Sequence, residues 1–252
     1  MKNQHNYPAL QVKVIILVSI LLLAMSGQAM AGPFSGGTGS ESDPYQIANI
    51  TDLEHLSNDS NSTYWSENFK QTADINATNS SNWNGGNGFD PIGNSTVEFT
   101  GTYDGQGHTI DGLTIKRGNK SYIGLFGYAD TGAEISNIEL TNVDITGDER
   151  VGGLVGCNDD GTVSNSTSSG SVDGSSYVGG LVGVNLNGGT IELSYSTGSV
   201  DGSSGVGGLV GSNGGTVSSS TSSGSVYGDR YVGGLVGQSN SQGIVNNSYS
   251  TG

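Results

Sequence analysis

The chain has 252 residues, among them 44 Gly, eight Lys or Arg and 23 Asp or Glu, for a formal net charge of −15 at pH 7. So acidic a surface repels nucleic acid and anionic membrane, and the Gly-, Ser-, Thr- and Asn-rich composition taken alone would suit disorder. Cys157 is the single cysteine, so no intrachain disulfide forms and stability has to come from packing.

Lys2 and Lys13 precede or open a mostly apolar run at residues 14–25, and Ala29-Met30-Ala31 fits a small-x-small cleavage site. Residues 1–31 are read as a signal peptide, because the apolar run is too short to cross about 30 Å of hydrocarbon. The mature chain from Gly32 would keep six basic and 23 acidic residues, a net of −17. No membrane span is expected in it.

Residues 32–97 read as an N-terminal cap. Tyr45-Gln46-Ile47 suits a short strand, and Thr51-Asp52-Leu53-Glu54 fits a capping box for a helix over residues 52–57 that buries Leu53 and Leu56. Residues 69–75 read as a strand, and Trp83, Phe89 and Ile92 are apolar points in an Asn/Gly-rich loop. Aromatic bulk gathers here, as covering the first coil of a solenoid requires. Residues 99–115 read as the entry to that solenoid, with turn chemistry at Asp104-Gly105-Gln106-Gly107.

The hexapeptide Val151-Gly152-Gly153-Leu154-Val155-Gly156 recurs letter for letter at 178–183, 206–211 and 232–237, with a relaxed copy at 123–127. Its Leu residues (125, 154, 181, 209, 235) are spaced by 29, 27, 28 and 26 positions. A fixed period of this size marks a repeat architecture. Between hexapeptides, Val163, Ile191, Val217 and Val245 share one column. Asn165, Leu193, Ser219 and Asn247 share a second, and Thr167, Tyr195, Thr221 and Tyr249 a third. Columns two residues apart face one side of a strand, so all three are expected inside, and Asn165 is expected to stay free of glycan. Leu154 is placed inside, while Val155 is either covered by a loop or exposed. Gly147, Gly174, Gly202 and Gly228 are expected to supply positive φ. Each unit is then about three short β segments. The fold expected is all-β: a right-handed parallel β-helix (solenoid) of about 27-residue coils over residues 98–252, with a small N-terminal capping region containing one short helix.

These residues resemble the GLUG motif, named for its Gly-Leu-bulky-Gly core. The strict and relaxed copies cover about half the chain, and the strand Ser-Tyr-Ser-Thr-Gly-Ser-Val at 194–200 and the upstream segment beginning at Phe99 extend the likeness. The resemblance implies a β-helix of an exported bacterial or archaeal surface protein, some of whose relatives are adhesin-like and some of which carry the repeats beside an IgA-peptidase catalytic domain. It carries no catalytic residue to any position here.

The residues themselves are poor in reactive constellations. A zinc peptidase needs His-Glu-x-x-His, and beyond the signal only His55 and His108 remain. Polysaccharide lyases and glycosidases built on β-helices need clustered carboxylates. Here Asp173 and Asp201 share a column flanked by Thr146 and Tyr227, which suits solvated Asp-Gly turns. Asp104 with His108, and Asp159-Asp160, read as turn and loop residues, and Tyr177, Tyr231 and Trp83 as aromatics that pack or stack on sugars. No phosphate-binding Gly-Lys-Ser/Thr is present. Nine Asn-x-Ser/Thr sequons occur, and Asn58, Asn61, Asn76 and Asn94 are the candidate glycan acceptors. No catalytic, metal or cofactor site is expected.

The function expected is that of a non-enzymatic secreted or cell-surface repeat protein serving adhesion, envelope structure or display. A carbohydrate-active or carbohydrate-binding β-helix protein is the alternative. The sequence stops in mid-repeat at Gly252, so a third reading makes it the repeat portion of a larger surface protein or peptidase. A surface polysaccharide or another envelope protein are the partners considered.

Overall fold

The computed structural model describes residues 32–58 and 62–252. The signal-peptide reading (1–31) and Asn61 lie outside the described residues. One middle coil shows the plan. The chain runs through Glu149–Gly152 (wall one), Val155–Asp159 (wall two), Thr162–Ser164 (wall three) and Thr167–Asp173 (wall four). Each segment then pairs in parallel with its counterpart one coil on: Val151 with Val178, Val155 with Val182, Val163 with Ile191 and Val172 with Val200. The result is a parallel β-helix of about seven turns with two helices among the described residues. Each coil thus contributes four wall segments where three were expected.

The stack begins earlier than Phe99. Wall three already includes Tyr45–Ile47 and Asn68–Gln71, in parallel register with Thr102–Asp104. The residues read as a cap therefore add strands to the wall as well as covering it. A helix over Ile50–Ser57 buries Leu53 and Leu56 as expected. Its N-cap is Asn49, whose Oδ1 accepts from the amides of Thr51 and Asp52, two residues before the cap the sequence suggested. Asn is as good an N-cap as Thr, and starting earlier adds two residues, about half a turn, to a very short helix. Phe34, Tyr45, Phe69, Phe99, Tyr103 and Phe126 fill the interior at this end, with Phe99 and Phe126 centroids 4.9 Å apart. Val155 then takes the place of Phe126 one coil on, so the interior passes from aromatic to aliphatic.

The hexapeptide folds as two strands joined at a corner, which settles the parity left open by the sequence. Val151, Leu154 and Val155 are all fully buried. Gly152 and Gly183 face each other between walls one and two. A Cβ on Gly152 would lie 2.8 Å from the amide nitrogen of Gly183, and one on Gly183 would lie 2.6 Å from that of Val151. Backbone meets backbone there, and only Gly permits it. Gly147, Gly174 and Gly202 do not have positive φ. They are needed for space, since a Cβ on Gly174 would lie 2.8 Å from Val151 Cγ2.

The column of Asn165, Leu193, Ser219 and Asn247 faces solvent, which corrects the expectation for Asn165. These residues turn the corner from wall three to wall four with φ between 45° and 50°. A left-handed residue resets the alternation of the strand, so the columns after the corner shift by one. Tyr195 is accordingly 47% exposed, and Ser166, Ser168, Ser194 and Ser196 point inward. Ser194 Oγ donates to Glu192 O at 2.7 Å and accepts from the Ser166 amide at 3.2 Å. Asn158 Nδ2 bonds Asn185 Oδ1 at 2.8 Å, and Asn185 Nδ2 bonds Asn213 Oδ1 at 2.9 Å, a buried ladder along the axis. Ser168, Ser196 and Ser222 also lie in line, but their buried hydroxyls have no protein partner. They fill the space that a side chain on Gly153, Gly180 or Gly208 would occupy.

Leu181 is fully buried in a middle coil. Leu181→Ala should cost about 2–5 kcal/mol in urea unfolding, and a cost under about 0.5 kcal/mol would contradict its interior placement. Two serines of one coil should behave oppositely. Ser194→Ala removes both of its bonds and should destabilise by about 1–2 kcal/mol, whereas Ser196→Ala removes an unpartnered hydroxyl and should be neutral or stabilising. Equal losses in the two variants, read from their urea midpoints, would refute the ladder assignment.

Candidate functional site

The second residue of every wall-one strand sits in the left-handed region: Arg150 at φ 58°, Tyr177 at 56°, Gly205 at 67° and Tyr231 at 51°. Tyr122 precedes Ile123, which bridges to Val151, and extends the column with φ 64°. The ladder skips this residue on both strands of each pair while the register stays constant, and the left-handed backbone turns its side chain off the wall. A non-Gly residue here costs roughly 1–2 kcal/mol. Gly205 proves that the fold accepts Gly, yet four of the five positions hold Tyr or Arg. Along this column the Arg150 guanidinium lies 4.8 Å from the centroid of the Tyr122 ring, and its Nη1 donates to Tyr122 Oη at 3.1 Å. The Tyr177 ring leans over Gly205, where a Cβ would lie 2.9 Å from Tyr177 Cδ1. Tyr231 is 64% exposed, while Tyr122, Arg150 and Tyr177 are half-buried.

The column leads into a cleft of about 400 Å³ whose lining includes Asn58, Trp65, Asp90, Arg117, Lys120 and Tyr122. Trp65 is buried and anchored by its Nε1 donating to Leu56 O at 3.0 Å. Arg117 is held by Nε donating to Phe89 O and by an ion pair with Asp90. Lys120 is exposed and makes no ion pair among the described residues. Arg117, Lys120 and Arg150 are half of the six cations in residues 32–252. Arg150 lies outside the lining and faces Glu149 at 3.8 Å, so the cleft itself holds Arg117, paired with Asp90, and Lys120 beside the aromatic Trp65 and Tyr122.

The candidate glycan acceptors divide. Asn58 and Asn94 are exposed and line this same cleft. Asn76 is exposed at the end of a wall-four strand, its Oδ1 accepting from Thr78 N and Thr78 Oγ1. Asn165, though exposed, donates through Nδ2 to Asn137 Oδ1 at 2.6 Å. The carboxylates weighed in the sequence are drawn into local bonds. Asp173 and Asp201 are neighbours across wall four, and burial raises the Asp173 carboxyl above its ordinary range while Lys116 opposes the rise. Asp104 accepts from Asn137, and His108 Nδ1 lies 3.1 Å from Asp74 Oδ1. Thr109 and His108 together hold the exposed Asp74 carboxyl below its ordinary range. Trp83 packs on Phe89. No cluster of three or more His, Cys, Asp or Glu suited to a metal occurs among the described residues. The cleft itself escaped the sequence reading because cap loops and a turn build it. Of the column, the sequence singled out only Tyr177 and Tyr231, as aromatics that pack or stack on sugars.

Two stretches, residues 147–173 and 174–201, match the model of the GLUG motif, and the chain carries that repeat. It is 39% identical over 148 residues to Halomucin of Haloquadratum walsbyi, covering 58% of this chain and 2% of that protein. It is 34% identical over 147 residues to a provisionally named Gly-rich membrane protein of Evansella cellulosilytica, covering 57% of this chain and 17% of that one. The chain therefore spans only a small part of either relative. A solved structure provisionally assigned as an immunoglobulin A1 protease from Bacteroides ovatus superposes with a TM-score of 0.67 at 24% identity, over 86% of this chain and 68% of that one. That likeness concerns the fold.

Cys157 lies buried beside Tyr128 in wall two. Burial pushes its thiol up to about 12, and the Asp159 carboxylate adds to the rise. The thiolate is the reactive form. At pH 8 a thiol reagent should therefore label the folded protein far more slowly than the urea-unfolded protein. Equal rates would place the thiol at the surface.

Proposed function

We propose that this chain is a non-enzymatic repeat protein of the cell surface, which presents its β-helix for adhesion or for contact within the envelope. The observation that carries the reading is the outward column Tyr122, Arg150, Tyr177 and Tyr231. The fold holds bulky side chains there in a strained backbone state that Gly205 fills without strain. Large side chains kept in a left-handed state along a half-exposed face, where Gly would be free of strain, support a contact surface. The names of the relatives, Halomucin and a Gly-rich membrane protein, accord with a surface setting. The reactive groups accord with a non-catalytic role: Cys157 is buried and protonated, and Asp104, Asp74 and His108 are bonded to neighbours.

Antibody labelling of intact native cells should detect the protein at the surface, and labelling only after lysis would overturn the reading. Purified protein should neither cleave immunoglobulin nor depolymerise acidic polysaccharide, with or without Ca²⁺ or Zn²⁺. Turnover abolished by Asp173→Ala or His108→Ala would establish an enzyme instead.

A further inference from the structure

We infer that the cleft at Arg117, Lys120 and Tyr122 binds a carboxylate-bearing sugar unit of an acidic glycan, whose chain continues past Arg150 onto Tyr177. This assignment of a ligand class rests on the surface reading above.

Three features of the cleft select that chemistry. The first is charge. Three of the six cations in residues 32–252 gather at the cleft and its rim, and Lys120 has no ion-pair partner among the described residues. An ammonium with no ion-pair partner among the described residues supplies a local anion contact on a strongly acidic chain. The second is the mixture of polar groups. Asp90 beside Arg117, with Asn58 and Ser121, sets acceptors among donors. Sugar hydroxyls need both, whereas a bare inorganic anion needs donors alone. The third is shape. The volume of about 400 Å³ lies within the range of small-ligand sites, and Tyr122 at its edge passes into the column Arg150 and Tyr177. Wall-one residues of successive coils repeat every 4.7–4.9 Å, close to the length of one sugar unit, so a linear chain laid along the axis meets one column residue per unit or nearly so. Aromatic faces then take the apolar faces of the rings, and the Arg150 guanidinium, bonded to Tyr122 Oη and facing Glu149 at 3.8 Å, takes a second carboxylate.

The test is calorimetric titration of the purified chain, made in a host without Asn glycosylation so that Asn58 and Asn94 leave the cleft open. The probes are oligogalacturonate, monomeric galacturonate, a neutral dextran oligosaccharide of equal length, a sulfated glycosaminoglycan oligosaccharide and sodium acetate. Oligogalacturonate should bind, more weakly at high salt, while dextran and acetate should not. Lys120→Glu should weaken binding by about tenfold or more with an unchanged melting temperature, since Lys120 is exposed. Arg150→Ala should weaken long oligomers more than a single unit. Equal binding of dextran, or Lys120→Glu without effect, would overturn the site. Tighter binding of the sulfated probe would overturn the carboxylate and leave a sulfate in its place. No binding by any probe would refute the inference while surface labelling of intact cells still stands, so the two readings fail separately.

Discussion

Everything in this fold depends on two backbones approaching without side chains between them. Walls one and two come together where Gly152 meets Gly183 and Gly179 meets Gly211, at separations no Cβ tolerates. That contact makes the corner of the hexapeptide, and the corner turns both Leu154 and Val155 inward. The letter-for-letter conservation of Val-Gly-Gly-Leu-Val-Gly between coils follows from it. A single Ala at either Gly would force the walls apart along the stack, because each coil is the mould for the next.

Stacking in register gives a second rule: a buried polar group is satisfied by the same group one coil away. Asn158, Asn185 and Asn213 hand their amides along the axis, and Ser166, Ser194 and Ser220 accept each preceding amide through the hydroxyl. A ladder of this kind satisfies polar groups that an apolar interior would otherwise leave costly. The serines Ser168, Ser196 and Ser222 show the limit of the rule. They are chosen for size, filling the notch opposite a glycine, and their hydroxyls remain unpartnered.

The period, the parallel stack and the Val163 and Leu154 columns were legible because they depend on side-chain size repeated at fixed spacing. What failed was parity beyond a corner. A strand that turns through one left-handed residue changes face, and Asn, Leu and Ser at 165, 193 and 219 give no common signal of that conformation. Glycine misled in the same way: positive φ was expected at Gly147 and Gly174, and the chain places it instead at Arg150 and Tyr177. The upstream coils were missed because Tyr45–Ile47 and Asn68–Gln71 join wall three from irregular segments with no repeat to announce them. The cleft was hidden for a related reason, since its residues come from the cap and from the turn after Arg117, far apart in sequence.

Along a stack of near-identical coils, a position that departs from economy carries the information. Interior columns vary only in size, and the corner column tolerates Asn, Leu or Ser. The wall-one column of Tyr122, Arg150, Tyr177 and Tyr231 combines backbone strain with large, interacting side chains, and it lies beside the cleft that holds Arg117 and Lys120. The surrounding negative charge does not cancel that patch. At physiological ionic strength fields between exposed charges fade within about 8 Å, so what a ligand meets is Lys120 with the Arg117–Asp90 and Arg150–Glu149 pairs more than the −15 of the whole chain. The acidic remainder acts at longer range and lower salt, slowing the approach of polyanions in general. Binding at the cleft is then selective for a chain that can place one charged unit at the patch while its neighbours lie against Tyr177.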